Sequence, residues 1–432
     1  MRDATPGRPG PAERPAEVLR VPAFALFWSA TTLRAFGGAV AGVAFQVLVV
    51  SVVQATPLQV SVLSALGVVP YLFLGLIIGA FMDRWRRQPT LVITSIGRAL
   101  TLASLPVLIL SDALTFWSLA AVVLILGILT LFGDSAAQPL LPHLVDRRSL
   151  VSANARLGQS ATVASTAGPA IGGALLTLVG ASLLFVFEAV VLAVAAVLQS
   201  RIRVDEQRAG VRTPGRHLGH EIVDGVRYTY RHETLRPLAL SVHVWFLANS
   251  VVVTLFGLYT LRELQVPEWA FGLILGSAGV GGFFGAVIAP RVGARLGAGR
   301  AILLGRVLAV VPWATLALLP LAASTSLAVL VPVLAAAQFV YALSMGIEDA
   351  NEMGYRQAVA PDVLQGRMNS TIRTTNRVVF FFGALSAGLF VTVLGFPLTL
   401  GLAAAVFAVA ALIIAFSPVR SARHDDDPSS AG

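Results

Sequence analysis

The sequence predicts an all-α integral membrane protein with twelve transmembrane helices in two pseudo-symmetric six-helix bundles. Three observations carry that prediction. Apolar runs recur from residue 23 to residue 418, each close to the ~20 residues that cross a ~30 Å hydrocarbon core. The arginines between these runs fall almost entirely on one side. The two halves of the chain also repeat one another. Composition agrees: the 432 residues are 56% hydrophobic and only 12% charged, against about 25% charged in soluble domains. Backbone groups in lipid must be bonded internally, so runs this long are helices; barrel strands would be shorter and alternating.

Taken in order, the predicted spans are 23–50, 58–82, 90–110, 114–134, 158–179, 182–200, 237–258, 269–290, 300–321, 325–346, 372–394 and 397–417. The connections on the N-terminal side carry Arg84, Arg86, Arg87, Arg147, Arg148, Arg156 and a cluster from Arg201 to Arg236, whereas the opposite loops carry Arg262 alone. The positive-inside rule then makes both termini cytoplasmic in a bacterial-type plasma membrane. Residues 1–22 form a Pro-rich, Arg-bearing cytoplasmic tail, 23–200 the first bundle, 201–236 a central linker, 237–418 the second bundle and 419–432 a disordered tail. The first apolar run is too long for a signal peptide and leads straight into further spans. Within the linker, Leu218, Ile222, Val223 and Val226 follow helical spacing beside His220, Asp224 and Arg227, which predicts a helix on the cytoplasmic membrane surface.

Composition also removes whole classes of chemistry. All 31 basic residues are Arg and there is no Lys, so a Lys-dependent phosphate loop is impossible and uphill transport must draw on an ion gradient or a separate ATPase. There is no Cys, which excludes disulfides, thiolate metal sites and Cys nucleophiles. The net charge of +9 is a topology determinant and an anionic-lipid contact rather than a nucleic-acid footprint.

The internal repeat is visible at several points. Gly79-Ala80 ends the second span, with Gly97-Arg98 inside the third; Gly285-Ala286 ends the eighth, with Gly305-Arg306 inside the ninth. Asp146, Leu150 and Asn154 match Asp362, Leu364 and Asn369, and Gly168–Gly173 sits where Gly383–Gly388 sits later. Like-oriented six-span repeats are the layout of transporters that rock two bundles about a midplane site.

Gly79-Ala80-Phe81-Met82-Asp83-Arg84-Trp85-Arg86-Arg87 resembles the G-x-L-x-D-R-x-G-R signature of the major facilitator superfamily, with Arg86 where Gly is usual. Phe132 to Asn154, Gly168 to Gly173, and Arg356-Gln357 through Pro361 to Gly366-Arg367 are similar to the drug:proton antiporter branch that contains macrolide and siderophore exporters. The resemblance implies the major-facilitator fold over residues 20–418. It implies a gating latch in which Asp83 faces the start of span eleven near Thr371–Thr375 and a motif arginine, Arg84 or Arg87, pairs with Asp134. It also associates Gly168, Pro169, Gly172 and Gly173 with export; physically, small residues admit close helix packing and Pro169 bends span five.

Arg34 lies about 11 residues into the first span, ~16 Å deep, where a lone cation costs about 2.5–3.5 kcal/mol on the translocon scale. It is expected to contact a substrate anion or to pair with Glu188, the acid inside span six and a candidate proton carrier. Arg98 and Arg306 are close enough to the cytoplasmic face to snorkel. Arg373 and Arg377, with Glu348, Asp349 and Glu352, suggest a charge cluster at the inner gate. Spans one, four, seven and ten line the pathway in this fold, so Trp28, Gln46, His243, Trp245, Asn249, Gln338 and Tyr341 are cavity candidates; the alternative for each is a satisfied polar tip in a packed bundle. No catalytic residue, metal site or cofactor is expected.

The sequence therefore predicts a monomeric secondary transporter that exports an amphipathic small molecule (a drug, secondary metabolite or siderophore) by proton antiport. Its expected partners are that substrate, protons and membrane lipids, with no nucleic acid. A same-fold importer or lipid translocator is the alternative, and an integral-membrane enzyme is the reading of a different class; His143 and Asp146 are three apart, but only Asp146 has a repeat counterpart.

Overall fold

The computed structural model describes residues 18–75, 78, 85–204, 218–319 and 326–423. They form eleven α-helices: α1 (Pro22–Val47), α2 (Pro57–Phe73), α3 (Arg87–Leu110), α4 (Phe116–Leu144), α5 (Leu150–Ser200), α6 (Leu218–Arg231), α7 (Leu235–Leu258), α8 (Glu268–Leu296), α9 (Ala298–Leu318), α10 (Leu327–Val359) and α11 (Asp362–Ala415). No strand occurs among the described residues. Nine of these helices, α1 with its π-helical extension and α7 likewise among them, are long and apolar enough to cross a membrane, and α2 is a shorter apolar helix.

Two of the nine cross twice. α5 turns at Gly180 (φ 77°) and α11 at Gly395 (φ 76°), a left-handed backbone that glycine adopts without penalty. Ala153, near the start of α5, and Ile202, just past its end, share one buried cluster, and Met368 and Ile414, from the two arms of α11, share another. The long helices therefore double back. With α2 this makes twelve crossings, the number the hydropathy pattern predicts.

The halves repeat in backbone detail that composition does not reveal. α1 and α7 each end in a π-helical turn, at Leu48–Val52 and Tyr259–Glu263. Each is followed by a glutamine at positive φ, Gln54 and Gln265. The next helix starts after a proline-assisted turn, and Thr56 caps α2 in a reciprocal box with Gln59.

The halves meet along two matching seams. A methyl group built on Gly173 would overlap Gly272 of α8, and one on Gly388 would overlap Pro57 and Ser61 of α2. The Gly388 amide donates to Ser61 Oγ at 2.6 Å. Gly168 and Gly172 turn the other way, onto Ala39 and Val40 of α1. The predicted equivalence of Gly168–Gly173 and Gly383–Gly388 thus has a packing cause: each run lets one arm approach the opposite half.

On the side away from the arginine-rich loops the seams close into one buried core. Val47 to Val50 of the first half pack with Leu255, Leu258, Phe271 and Ile274 of the second. Arg262, the single arginine of that side, donates Nη1 to the Ala55 carbonyl and Nη2 to the Val50 carbonyl, both at 2.8 Å. A guanidinium between two backbone carbonyls ties α7 to the α1–α2 turn across the halves.

The linker helix α6 docks on the arginine-rich side of α11. Asp224 pairs with Arg367 at 3.2 Å, and the Tyr228 hydroxyl donates to the Val359 carbonyl. Val223 and Val226 remain exposed, as a helix at the membrane surface requires.

Candidate functional site

Three adjoining lobes of about 680, 690 and 420 Å³ form a chamber between the halves. Asp134, Ala137 and Gln138 border the first two lobes, and Phe246, Arg373, Asn376 and Arg377 border the second and third. Every lining residue comes from the arginine-rich half of its helix: residues 27–35 of α1, 130–142 of α4 and 345–356 of α10 are examples. The chamber is therefore open toward that side and closed by the apolar core on the other.

Asp134 stands at the centre. Sequence reading ended span four at this residue, but α4 continues through Pro139 and Pro142 to Leu144, so the carboxylate projects into the chamber rather than marking a membrane edge. Its partner is Arg34, at 3.7 Å, and the Tyr71 hydroxyl donates to its second oxygen at 3.4 Å. The expected Arg34–Glu188 pair is not formed. Glu188 is buried against Gly37 and Gly38 of α1, and Arg98 lies within electrostatic reach of both Glu188 and Arg34.

Arg87 of the motif donates to the Pro139 carbonyl at 3.0 Å, five residues beyond Asp134, so the structure gives Asp134 to Arg34 and Tyr71. Asp83 and Arg84 lie outside the described residues. Pro169 sits at the contact with α8, where its carbonyl faces Gly272.

The second half carries the larger ion cluster. Arg306, 1% exposed, sits 2.7 Å from Glu348 and 3.2 Å from Glu352, and Arg356 holds the other oxygen of Glu352 at 3.0 Å. Both glutamates are 4% exposed. Arg306 thus does not snorkel; the acids of α10 hold it inside, because an ion buried in this way requires a counter-ion. Its guanidinium also lies 5.6 Å from the ring centroid of Trp245. Arg373 and Arg377 of α11 face the same lobe, and Arg377 stacks over the Tyr71 ring at 4.3 Å.

Of the cavity candidates, Trp245 lines the third lobe and Arg34 the first. The others are packed. Trp28 donates to Ser160 Oγ at 2.9 Å, Gln46 abuts Gly257 within the closed end, and Gln338 is buried. Tyr341 donates to Asn249 at 2.6 Å and stacks parallel to Trp245. His243 donates from Nδ1 to Asn376 and accepts the Tyr230 hydroxyl at Nε2, at 2.6 and 2.7 Å. That pair of bonds links α6, α7 and α11.

Sequence reading missed Tyr71, Gln138 and Asn376. Asn369, Arg373, Asn376 and Phe380 follow one helical face of α11, a spacing that could have been read. Tyr71 had no local signal; only the fold brings it to Asp134. Among the described residues, no three His, Asp or Glu side chains converge on a metal position.

A family described as transmembrane secretion effector, a division of the major facilitator superfamily, matches residues 15–431. A search of curated protein sequences returns no match. Among solved structures, the nucleoside transporter NupG aligns with a TM-score of 0.75 at 10% identity, covering 91% of this chain and 99% of that one. An inward-facing bacterial homologue of the iron transporter ferroportin gives 0.69 at 19% identity, over 92% and 98%. An inward-facing bacterial homologue of the human lysosomal transporter Spinster gives 0.68 at 12%, over 94% and 97%. At these identities the likeness is one of fold.

Proposed function

The chain belongs to the transmembrane secretion effector family of major facilitator transporters, and from that premise we propose that it exports an amphipathic small molecule by proton antiport. It does so as a multi-pass protein of a bacterial plasma membrane with both termini in the cytoplasm. The observation that carries this reading is the chamber: about 690 Å³ in its largest lobe, open on the arginine-rich side and closed on the other. By the positive-inside rule that opening faces the cytoplasm, where an exporter loads. Phe27, Leu141, Phe246 and Phe380 supply apolar wall, and a few amides and charges supply orientation, a lining suited to an amphipathic solute.

Proton coupling is supported by the two glutamates that share Arg306. A proton on Glu348 or Glu352 releases part of the guanidinium's hold, which gives the second half two packings whose balance follows protonation. Glu188, away from the chamber, contributes through Arg98. The driving force is the pH gradient together with the membrane potential, about 2.3 kcal/mol per charge per 100 mV.

Everted vesicles test the reading. Export predicts ATP-independent accumulation of an amphipathic dye inside them on acidification of the lumen, abolished by a protonophore. Accumulation in right-side-out vesicles only would instead establish an importer, and uncoupler-insensitive exchange of labelled phospholipid would establish a lipid translocator.

A further inference from the structure

We infer that the substrate carries an acidic group, a carboxylate, sulfonate or phosphate, which binds between Arg34 and Arg98 of the first half and Arg373 and Arg377 of the second, displacing Asp134 from Arg34. This rests on the export reading and names the class of solute it takes.

Charge is distributed unequally along the chamber. In the third lobe Arg306 and Arg356 are held by Glu348 and Glu352 at 2.7–3.2 Å. In the first two lobes, Arg34, Arg98, Arg373 and Arg377 share the wall with Asp134; Arg373 and Arg377 also border the third lobe, which Glu348, Asp349 and Glu352 line. The contact between Arg34 and Asp134 is loose. Its 3.7 Å separation exceeds the ~2.7–2.9 Å of a charge-assisted hydrogen bond, and the Asp134 side chain is 55% exposed to the chamber while that of Arg34 is 16% exposed. The Nε atoms of Arg34 and Arg98 are buried without a hydrogen-bond partner, as are those of Arg306 and Arg356. Arg373 has no ion partner among the described residues, and Arg377 has a ring face instead of a carboxylate.

Guanidinium groups so placed are donors without acceptors in a site of low dielectric, which favours an anion entering from water. The repeat explains the surplus. At the register that matches Asn154 with Asn369 and Gly168 with Gly383, Glu348 and Glu352 correspond to Gly133 and Ala137. The first half keeps its third-helix arginine but has no acid at those two positions of its fourth helix; Glu188 of α5 is its electrostatic neighbour instead. Phe27, Leu141 and Leu157 flank these arginines, so the site accepts an anion attached to an apolar body.

Equilibrium binding to the full-length protein in nanodiscs of neutral lipid tests this without reference to flux direction, so its failure is separable from failure of export. The probes are carboxyfluorescein and rhodamine 6G, xanthenes of similar shape and opposite charge. Carboxyfluorescein should bind at least about tenfold tighter, and Arg98→Gln or Arg373→Gln should each weaken it by about tenfold without weakening rhodamine 6G. Ala137→Glu, which returns to Arg98 the acid present in the second half, should abolish carboxyfluorescein binding with the melting temperature retained. Anionic lipid in the nanodiscs should compete if the natural anion is a headgroup, and should have no effect if it is a soluble solute. Tighter binding of the cation, binding of neither dye, or binding of the anion unaltered by all three substitutions would overturn the inference.

Discussion

Arg98 and Arg306 follow a glycine on the third helix of their respective halves, and each faces the fourth helix of its own half. Gly97 packs on Leu129 of α4, and Gly305 packs on Ser344 and Glu348 of α10. Their surroundings then diverge. Arg306 is enclosed by two buried glutamates, whereas Arg98 lines an open lobe with Asp134 and Ala137 and has Glu188 within electrostatic reach. The repeat fixes where a charge stands; the side chains one helix away decide whether it is structural or available to a ligand. Arg306 is thus held by carboxylates of its own half, whereas Arg98 borders an open lobe.

Stability should divide along the same line. Arg306→Ala strands the buried Glu348 carboxylate and leaves Glu352 with Arg356 alone; it should cost about 3–5 kcal/mol, read as a large fall in melting temperature in detergent. The triple change Arg306→Met with Glu348→Gln and Glu352→Gln should recover most of that loss. A small effect of Arg306→Ala would remove the contrast between the halves.

The closed end supplies the next largest effect. Gly173→Leu forces a side chain into Gly272 and should cost about 1–3 kcal/mol through overpacking, while opening the seam to maleimide reagents applied from outside at a cysteine introduced nearby. Because the native chain has no cysteine, such labelling has no background. Arg262→Ala removes two charged hydrogen bonds across the same seam. With the guanidinium only partly buried, the loss should be about 1.5 kcal/mol, the low end for bonds to charged groups, with the population moving toward the outward-open form. Arg98→Ala should be the mildest, about 1 kcal/mol, since Arg98 makes no short ion pair and acts on the fold through its electrostatic reach to buried Glu188.

The fold was legible because hydrophobic length and arginine asymmetry are properties of single segments. Twelve crossings and the small-residue run Gly168–Gly173 could be read without tertiary information. The ion pairs could not. Arg34 is mid-span, and its depth suggested Glu188 as the partner, while Asp134 read as an acid at the end of span four; only the continuation of α4 past Pro139 brings Asp134 inward. Arg306 read as a snorkelling residue because its distance from the face permits it, and the acids that hold it inside lie on another helix, more than 40 positions along the chain. Tyr71 and Asn376 acquire their contacts through packing alone.

The proposed transport cycle requires two like-oriented halves to exchange their open and closed ends about this chamber. Spin-label distances in reconstituted protein measure that most directly, with one pair across the open mouth at Asn154→Cys and Asn369→Cys and another across the closed end at Val53→Cys and Gln265→Cys. On acidification or addition of carboxyfluorescein, the first distance should shorten in the same fraction of molecules in which the second lengthens. Two distances that stay fixed, or that change in the same sense, would contradict it.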